Sequence, residues 1–462
     1  MKILKYIGPF LRLNNLSNEM IESQLFYFAK ESTKHIVLNS KFGINIPLKE
    51  LKIKTFSNFD INTFKESSPL LCIYKRSNIK LLTHKNNVFW DEDSFKKEVN
   101  ISSNGYLTLC LLELANYYEK FKDLDKELYG LYNIYINLVK HQLNFYSSYL
   151  RNEEGLFVDK KDISDPITKE LNFEIKNKKF KYSNQILMMN CYAIYSIISK
   201  TEDSDEYYNF SKDILDMILR YKDEIYNVSL HEKINILSLL NIYLKFDNNN
   251  NNNDVLLLTI DIMDLIHDEL GNLNNSTSIS NTSLIFITSI LFNHTTGISK
   301  YEDFSKDIYK ELINLCDEEK FVLLKNSSKK DIDYNSYEIC FYILALVFKN
   351  KFSNDEKSNA KFEYIYRKYI INSGIVCSWP EPPNINSIER YKNHTLKSED
   401  LIDEIYFKLP TLPTPETSGV APVIIKDIKY NVKKDEFTIN KQVFDSTKYF
   451  QCLLYMIYLS NS

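Results

Sequence analysis

The two tryptophans of this 462-residue sequence each stand close to carboxylates. Trp90 is followed directly by Asp91, which opens a run of three acidic residues, and Trp379 lies two residues before Glu381. An aromatic ring can stack on the apolar face of a pyranose, while a pair of carboxylates can supply the acid and the base or nucleophile that cleave a glycosidic bond. We therefore predict that Asp91 and Glu381 are a catalytic pair, with Trp90 and Trp379 as stacking platforms.

Four further residues are candidates for the same site. Glu113 interrupts the apolar run 109–118, and a carboxyl group that faced the interior would have a raised pKa suited to acid catalysis. A hydrogen bond at a helix end or interface is the structural alternative for Glu113. Further along the chain, Tyr391 is a third stacking candidate, and Arg390 and His394 are candidates for orienting a substrate.

The tryptophan segments also have purely structural interpretations. Residues 70–74 and 79–83 alternate in polarity around residues 76–78, which favours a β-hairpin that Trp90 would close by simple packing. The segment that carries Glu381 is rich in proline, so it could serve only to brace the rim of the fold. On these interpretations the same residues would line a cleft without catalysing a reaction.

The composition is that of an ordinary globular protein with a large core. Apolar residues make up 44 % of the sequence and charged residues 26 %. The net charge of −4 arises without any basic block, so we expect neither a nucleic-acid partner nor an anionic membrane partner. The nine glycines and eleven prolines are too few for a many-turned β-sandwich, which favours a mainly helical fold.

Several features favour a cytoplasmic protein without a cofactor. The seven cysteines are scattered without CxxC spacing, which is typical of reduced thiols inside the cell. The N-terminal apolar run is short and interrupted by Lys5 and Arg12, unlike a signal peptide, and the longest apolar run, 339–348, is too short to span a membrane. The sequence has no HExxH motif, glycine-rich phosphate loop, GxSxG motif or Cys/His cluster, so we predict no metal and no cofactor.

A repeated helical unit would position the candidate residues. Residues 205–350 contain three copies of an amphipathic helix, a short turn and a nearly all-apolar helix. In the first copy an apolar stripe runs from Phe210 to Ile225 at helical spacing, and the partner helix, 234–244, is apolar nearly all round. Because an amphipathic helix meets water on one side and an all-apolar helix is covered on most sides, each copy predicts an outer and an inner helix.

The same order extends over both flanks of this region. It predicts six helical hairpins and twelve helices, with long insertions at residues 42–102, 151–182 and 372–441 between outer and inner helices. Loops of that length are typical of lids or binding walls, and in a closed ring these three would be neighbours on one rim. Glycine is predicted to end four of the outer helices, at Gly43, Gly155, Gly271 and Gly374.

This order of helices resembles the (α/α)6 toroid of the six-hairpin glycosidase-like superfamily. A local similarity is NEEGLF at residues 152–157, which resembles an acidic-Gly-Leu-Phe turn that opens onto the active-site face in several glycosidase families. The resemblance covers nearly the whole chain and implies one all-α toroidal domain over residues 1–462, and we place the small β-hairpin expected from residues 70–83 at one mouth. An α-solenoid is the rival architecture for an array of helix pairs.

From the resemblance and the candidate residues we expect a carbohydrate-active enzyme, a glycoside hydrolase or lyase-like, that acts on an oligosaccharide in a loop-walled cleft. The alternative is a catalytically inert toroid that binds a peptide, a glycan or a protein partner. Carboxyl groups about 5–10 Å apart at the mouth would favour the enzyme. The sequence predicts neither the substrate nor the oligomeric state.

Overall fold

The computed structural model describes residues 16, 18–51, 67–84, 87–165, 168, 170–177, 179–246, 253–272, 278–317, 319–325, 331–352, 359–380, 389, 420–439 and 441–461. Most of these residues are helical, and the helices form hairpins of one outer and one inner helix. The hairpins are α1 (Asn18–Asn39) with α2 (Ile101–Glu119), α3 (Lys126–Tyr149) with α4 (Tyr182–Ser199), α5 (Ser204–Arg220) with α7 (Leu230–Phe246), α8 (Asn253–Asn272) with α9 (Ile279–Thr296), α10 (Glu302–Asn314) with α11 (Ser336–Phe352), and α12 (Asn359–Tyr366) with α13 (Tyr449–Asn461). A short helix, α6 (Lys222–Tyr226), follows α5.

The inner helices close into a ring. Each inner helix packs against the next along the chain, from α2 through α4, α7, α9 and α11 to α13, and α13 packs back onto α2. An open solenoid would leave its first and last helices apart. The predicted (α/α)6 toroid is therefore confirmed.

Burial separates the two kinds of helix as the sequence predicts. The outer helix α10 buries only Ser305, Ile308 and Leu312, whereas its inner partner α11 buries the whole run 339–348. Burying a large apolar side chain contributes about 1.5–3 kcal/mol, so the inner ring supplies most of the apolar stabilisation.

The inner helices run parallel, which gives the ring two different ends. The first turns of neighbouring inner helices meet where the Ser183 amide donates to Glu232 at 2.9 Å, and the C-terminal halves of α2 and α7 meet where Lys245 pairs with Glu113 at 3.2 Å. We call the end where inner helices begin the insertion end, because the long outer-to-inner connections lie there. The opposite end, where inner helices finish, is the short-loop end.

Twelve short strands lie in the described parts of the insertion-end connections. They are β1 (Gly43–Asn45), β2 (Leu70–Ile73), β3 (Arg76–Asn78), β4 (Leu81–His84), β5 (Asn87–Trp90), β6 (Glu98–Val99), β7 (Lys160–Asp162), β8 (Phe173–Ile175), β9 (Asp331–Asn335), β10 (Asp427–Asn431), β11 (Glu436–Thr438) and β12 (Val443–Asp445). All pair antiparallel, as β1–β2, β3–β12, β4–β5, β6–β7–β8 and β9–β10–β11. The β3–β12 pair joins the first insertion to the last, and the β6–β7 pair joins the first to the second.

The predicted hairpin between residues 70–74 and 79–83 is wrong. Residues 70–73 pair with β1, and residues 81–84 pair with β5. Alternating polarity identifies a strand but does not select its partner. The backbone of β2 packs closely against Gly43, which has no side chain. A Cβ at that position would lie 1.8 Å from the Cys72 carbonyl oxygen.

The predicted glycine turns are only partly correct. Gly155 and Gly374 take left-handed φ angles of 84° and 77°, but they lie in turns beyond the helix ends, since α3 ends at Tyr149 and the helical turn after α12 ends at Ile371. Gly43 instead lies in β1, and Gly271 lies inside α8. The predicted stripe from Phe210 to Ile225 also spans two helices, because α5 ends at Arg220 before α6 begins.

Polar contacts join the inner helices around and across the ring. Asn190 donates to the Leu239 carbonyl, and Asn241 donates to the Thr288 carbonyl, each at 2.8 Å. Across the middle of the ring the hydroxyls of Ser238 and Tyr455 lie 2.5 Å apart, although α7 and α13 face each other from opposite sides. Side chains therefore fill the lumen at this level.

All seven cysteines are free thiols, and six of them are buried. Burial raises the pKa of the Cys72 thiol to about 12, so this group stays protonated at neutral pH. No helix among the described residues combines the length and the apolar character that crossing a membrane requires.

Candidate functional site

The insertion end carries an open groove, which we call the rim groove, with a volume of about 430 Å³. It is lined by Asn78, Lys80, Leu82, Asp91, Lys441, Gln442 and Val443. These residues come from the first and last insertions, which the register between Asn78 in β3 and Val443 in β12 holds together. Long-range strand pairing therefore builds the groove.

Among the described residues, the Asp91 carboxylate has no structural partner. The residue follows β5 and precedes the 3-10 turn Glu92–Ser94, and its backbone carbonyl accepts a hydrogen bond from Ser94 Oγ at 2.6 Å. Its side chain forms no hydrogen bond or ion pair with the described residues. The carboxylate is thus available to a ligand in the groove.

Other acidic groups at this end have structural partners. Although burial alone would raise the pKa of Glu98, ion pairs with Lys176, Lys96 and Lys75 lower it to about 2. Further pairs join Asp159 to the Ile101 amide, Asp162 to the Tyr74 hydroxyl, Glu224 to the Tyr182 hydroxyl, Glu232 to the Ser183 amide, Glu338 to Lys325 and Asp445 to Arg76. The contacts of these carboxylates hold strands and helix ends in place. The Asp91 side chain makes no such contact with the described residues.

Trp90 is a core residue rather than the predicted stacking platform. Its side chain is 1 % exposed, its ring stacks on Phe42 with centroids 5.7 Å apart, and its Nε1 donates to His35 Nε2 at 3.0 Å. Because successive side chains of a strand point to opposite faces, Phe89 points outward. Phe89 is 39 % exposed and lies opposite Leu82, which is 43 % exposed. This pair is the apolar surface beside the groove.

Trp379 is also buried, so its predicted stacking role is not supported. Its side chain is 7 % exposed and meets the edge of Phe28 in α1, with ring centroids 5.6 Å apart. An indole in this position contributes to packing between the last insertion and the outer helix.

Glu113 lies at the opposite end of the ring from the rim groove. It is 3 % exposed and pairs with Lys245 of α7 at 3.2 Å. The carboxyl group does interrupt an apolar helix as the sequence indicates, but the structure does not bring it together with Asp91. The structural alternative, an interface contact between two inner helices, describes it better.

Four predicted site residues lie outside the described residues: Glu381, Arg390, Tyr391 and His394. Glu389, from the same insertion, is described. Its carboxylate accepts hydrogen bonds from Lys30 Nζ at 2.6 and 2.7 Å and from the Tyr117 hydroxyl at 3.0 Å. Residue 389 is therefore anchored to α1 and α2.

A second group of polar side chains lies at the centre of the insertion end. We call it the lumen cluster, and it comprises His231, Asn235, Asn281, Gln451 and Tyr106. His231 Nδ1 lies 3.0 Å from Asn281 Oδ1, and Asn235 Nδ2 lies 3.3 Å from His231 Nε2. Gln451 Nε2 donates to the Tyr106 hydroxyl at 3.1 Å and to Asn235 Oδ1 at 3.5 Å. Four inner helices thus share one hydrogen-bonded layer.

The imidazole of His231 is held neutral at pH 7. Burial lowers its pKa most, the hydrogen bond that His231 donates to Asn281 and the charge of Glu232 oppose this effect, and the charges of Lys448 and Lys181 lower the pKa further. The neutral ring donates from Nδ1 and accepts at Nε2, which matches its two amide neighbours.

The sequence interpretation missed Phe89, Leu82, Lys448 and Lys181. Because side chains alternate along a strand, the sequence could have indicated Phe89 rather than Trp90 as the ligand-contacting residue. This choice requires knowing which face of β5 points into the core. The two lysines precede inner helices α13 and α4, a position that the repeat pattern does identify. No group of three or more metal-binding side chains occurs in the part of the chain that the structure describes.

Comparisons with known proteins give little further guidance. No protein-family model matches the sequence, and a search of the curated proteins returns no match. Among solved structures the chain is similar to a GH76 alpha-mannanase of Bacteroides thetaiotaomicron, with 12 % sequence identity, a TM-score of 0.41 and 94 % of each chain covered. That likeness is too distant to carry an inference about this chain's activity.

Proposed function

We propose that the protein is a carbohydrate-active toroid that binds an oligosaccharide at the insertion end and cleaves a glycosidic bond in the rim groove. The main support is the position of Asp91, a carboxylate without a structural partner among the described residues, in the rim groove. A group kept free of internal partners in a groove is suited to contact a ligand.

The rest of the groove is chemically suited to a sugar. Asn78 and Gln442 carry amides, which can both donate to and accept from hydroxyl groups. Leu82 and Phe89 offer an adjacent apolar surface, against which the C–H face of a pyranose can pack. Such a mixture fixes both the position and the orientation of a polyhydroxylated ligand.

Cleavage requires a second carboxyl group. In retaining and inverting glycosidases the two carboxyl groups lie about 5–10 Å apart across the scissile bond. Asp91 would supply the base or nucleophile, and Glu381, the residue chosen from the sequence, would supply the acid.

A non-catalytic toroid that binds a glycan or another partner is the second candidate. It is favoured by one observation, that Asp91 is the only carboxylate among the described residues that line the groove. A binder needs the polar and apolar surfaces of the groove but no carboxylate pair.

The experiment compares three variants against a panel of neutral and acidic oligosaccharides. Turnover is measured by product analysis, and binding is measured as the ligand-induced rise in melting temperature. Asp91→Asn and Glu381→Gln should each lower turnover at least about 100-fold while ligand binding persists. Asp93→Asn, an exposed neighbour outside the groove lining, is the matched control and should match the parent protein.

The outcomes separate the candidates. Turnover that survives both substitutions would exclude the catalytic pair. Binding without turnover in the parent protein would support the non-catalytic toroid, and neither binding nor turnover across the panel would overturn the carbohydrate proposal itself.

A further inference from the structure

We infer that the rim groove binds an acidic sugar, whose carboxylate or sulfate group is held by Lys80 and Lys441. The identity of the ligand as a sugar rests on the proposed function. The binding of an anion by the two lysines rests instead on the groove that they share, on their lack of partners and on the charge of the groove.

Both lysines line one groove, although they come from the first and the last insertion. Lys80 and Lys441 are part of the lining of the rim groove, whose volume is about 430 Å³. The backbones next to them are joined directly, because the Ile79 amide donates to the Gln442 carbonyl at 3.3 Å. This hydrogen bond continues the pairing of β3 with β12. The backbone that builds the groove therefore also holds the two lysines close together.

Neither lysine has a partner among the described residues. Arg76, which lies in the same strand region as Lys80, pairs with Asp445 at 2.5 Å. Lys80 and Lys441, in contrast, form no ion pair or side-chain hydrogen bond with the residues that the structure describes, and both side chains are exposed. Their ammonium groups are therefore available to a ligand in the groove.

The charge of the groove is opposite in sign to that of the whole protein. The lining contains two lysines and one carboxylate, Asp91, and so has a net charge of +1, whereas the protein carries −4. Asp91 pairs with neither lysine and would neutralise only one of them. Because like charges at close range repel each other, an anionic ligand would relieve the repulsion between the two ammonium groups.

The position of Asp91 restricts where the anion can bind. Leu81 pairs with Trp90 between β4 and β5, and this places Lys80 close to Asp91, because Lys80 precedes Leu81 and Asp91 follows Trp90. An anion is repelled by Asp91 and attracted by the lysines, so it should bind on the side of Lys80 that faces Lys441. An uncharged part of the sugar then faces Asp91. The groove thus orients an acidic sugar as well as attracting it.

The experiment compares three trisaccharides of the same linkage, one neutral, one of uronic acids and one sulfated, together with inorganic sulfate and phosphate. Affinity is measured by calorimetry at low and high salt. The double variant K80Q/K441Q removes both lysine charges from the groove. The matched control, K433Q/K434Q, removes the same charge from the exposed β10–β11 turn. The melting temperature of each variant checks that it is folded.

We expect the parent protein to bind the acidic trisaccharides at least about fivefold more tightly than the neutral one, as two exposed ion pairs would allow. This preference should weaken in high salt. In K80Q/K441Q the acidic and neutral trisaccharides should bind equally, whereas K433Q/K434Q should keep the preference. A preference that survives in K80Q/K441Q, or that is lost equally in K433Q/K434Q, would overturn the assignment to these lysines. Comparison of the uronic and sulfated ligands identifies the preferred acidic group.

Two results would separate this inference from the proposed function. If the trisaccharides bind but the parent protein does not distinguish acidic from neutral ones, the anion site is excluded while the carbohydrate proposal stands. If no trisaccharide binds but inorganic sulfate or phosphate binds to the parent protein and not to K80Q/K441Q, the anion site stands and the carbohydrate proposal fails. If neither sugars nor inorganic anions bind, both are overturned.

Discussion

Two lysines at the short-loop end of the ring and two at the insertion end differ in their partners. At the short-loop end, Lys245 pairs with Glu113 at 3.2 Å and lies 3.7 Å from the centre of the Tyr458 ring. Lys351 donates to the Leu459 carbonyl at the same end. At the insertion end, Lys181 and Lys448 have no such partners among the described residues.

Helix electrostatics explain why this difference is informative. Lysines in the last turn of a helix are stabilised by the negative partial charge there, so Lys245 and Lys351 are where folding alone would place them. Lysines ahead of the first turn gain nothing from the helix. The difference between these lysines therefore follows from the position of each one relative to the dipole of its helix.

The largest expected effect tests which residue of β5 belongs to the core. Trp90→Ala should lower the free energy of unfolding by about 3–5 kcal/mol, because it removes a fully buried indole that packs on Phe42. Phe89 lies one position earlier in β5 and points outward. Phe89→Ala should therefore change the free energy of unfolding by less than about 0.5 kcal/mol and should weaken ligand binding instead. Urea unfolding and calorimetry measure the two effects. Equal losses of stability would contradict the assignment of the two faces.

This pair of residues also marks the limit of sequence reasoning. The helices follow from local periodicity, which fixes whether a helix is amphipathic or apolar all round, and so the six hairpins were predictable. The face of β5 depends instead on contacts with Phe42 and Phe444, which lie far away in the sequence. The rim groove likewise joins residues near Asn78 to residues near Val443, and no local pattern specifies that pairing.

The second prediction tests the paired charges of the short-loop end. Lys245→Met should lower the free energy of unfolding by about 3 kcal/mol, because it removes the lysine charge that pairs with the buried Glu113 carboxylate. The double variant Glu113→Gln/Lys245→Met should recover part of this loss. Urea unfolding of both variants gives the coupling between the two side chains. A double variant no more stable than Lys245→Met would argue that the pair does not act as a unit.

The third prediction concerns pH and the core beneath the rim groove. Burial lowers the pKa of His35 from 6.5 to about 4, and its Nε2 accepts from Trp90 Nε1. The unfolded chain therefore binds a proton first as the pH falls, so the stability that this group contributes is complete above pH 6.5 and is lost toward pH 4. By pH 5 the loss should be about 2 kcal/mol.

His35→Gln keeps an acceptor for the indole but cannot be protonated in this range. Chemical denaturation of both proteins from pH 7.5 to 4.5 should show a shallower decline for His35→Gln. Curves of equal slope would show that His35 does not control this part of the pH dependence.

The smallest expected effect addresses the contrast between the ends most directly. Lys448→Met should raise the free energy of unfolding by about 0.5–1 kcal/mol, because it removes a half-buried charge from the unfavourable end of α13. The gain should shrink in high salt, as the repulsion from Lys181 is screened. Lys245→Met, made at the favourable end of α7, should change stability in the opposite direction. If both substitutions destabilise the protein equally, Lys448 stabilises the fold as Lys245 does, and the helix dipole does not account for the difference between the two lysines.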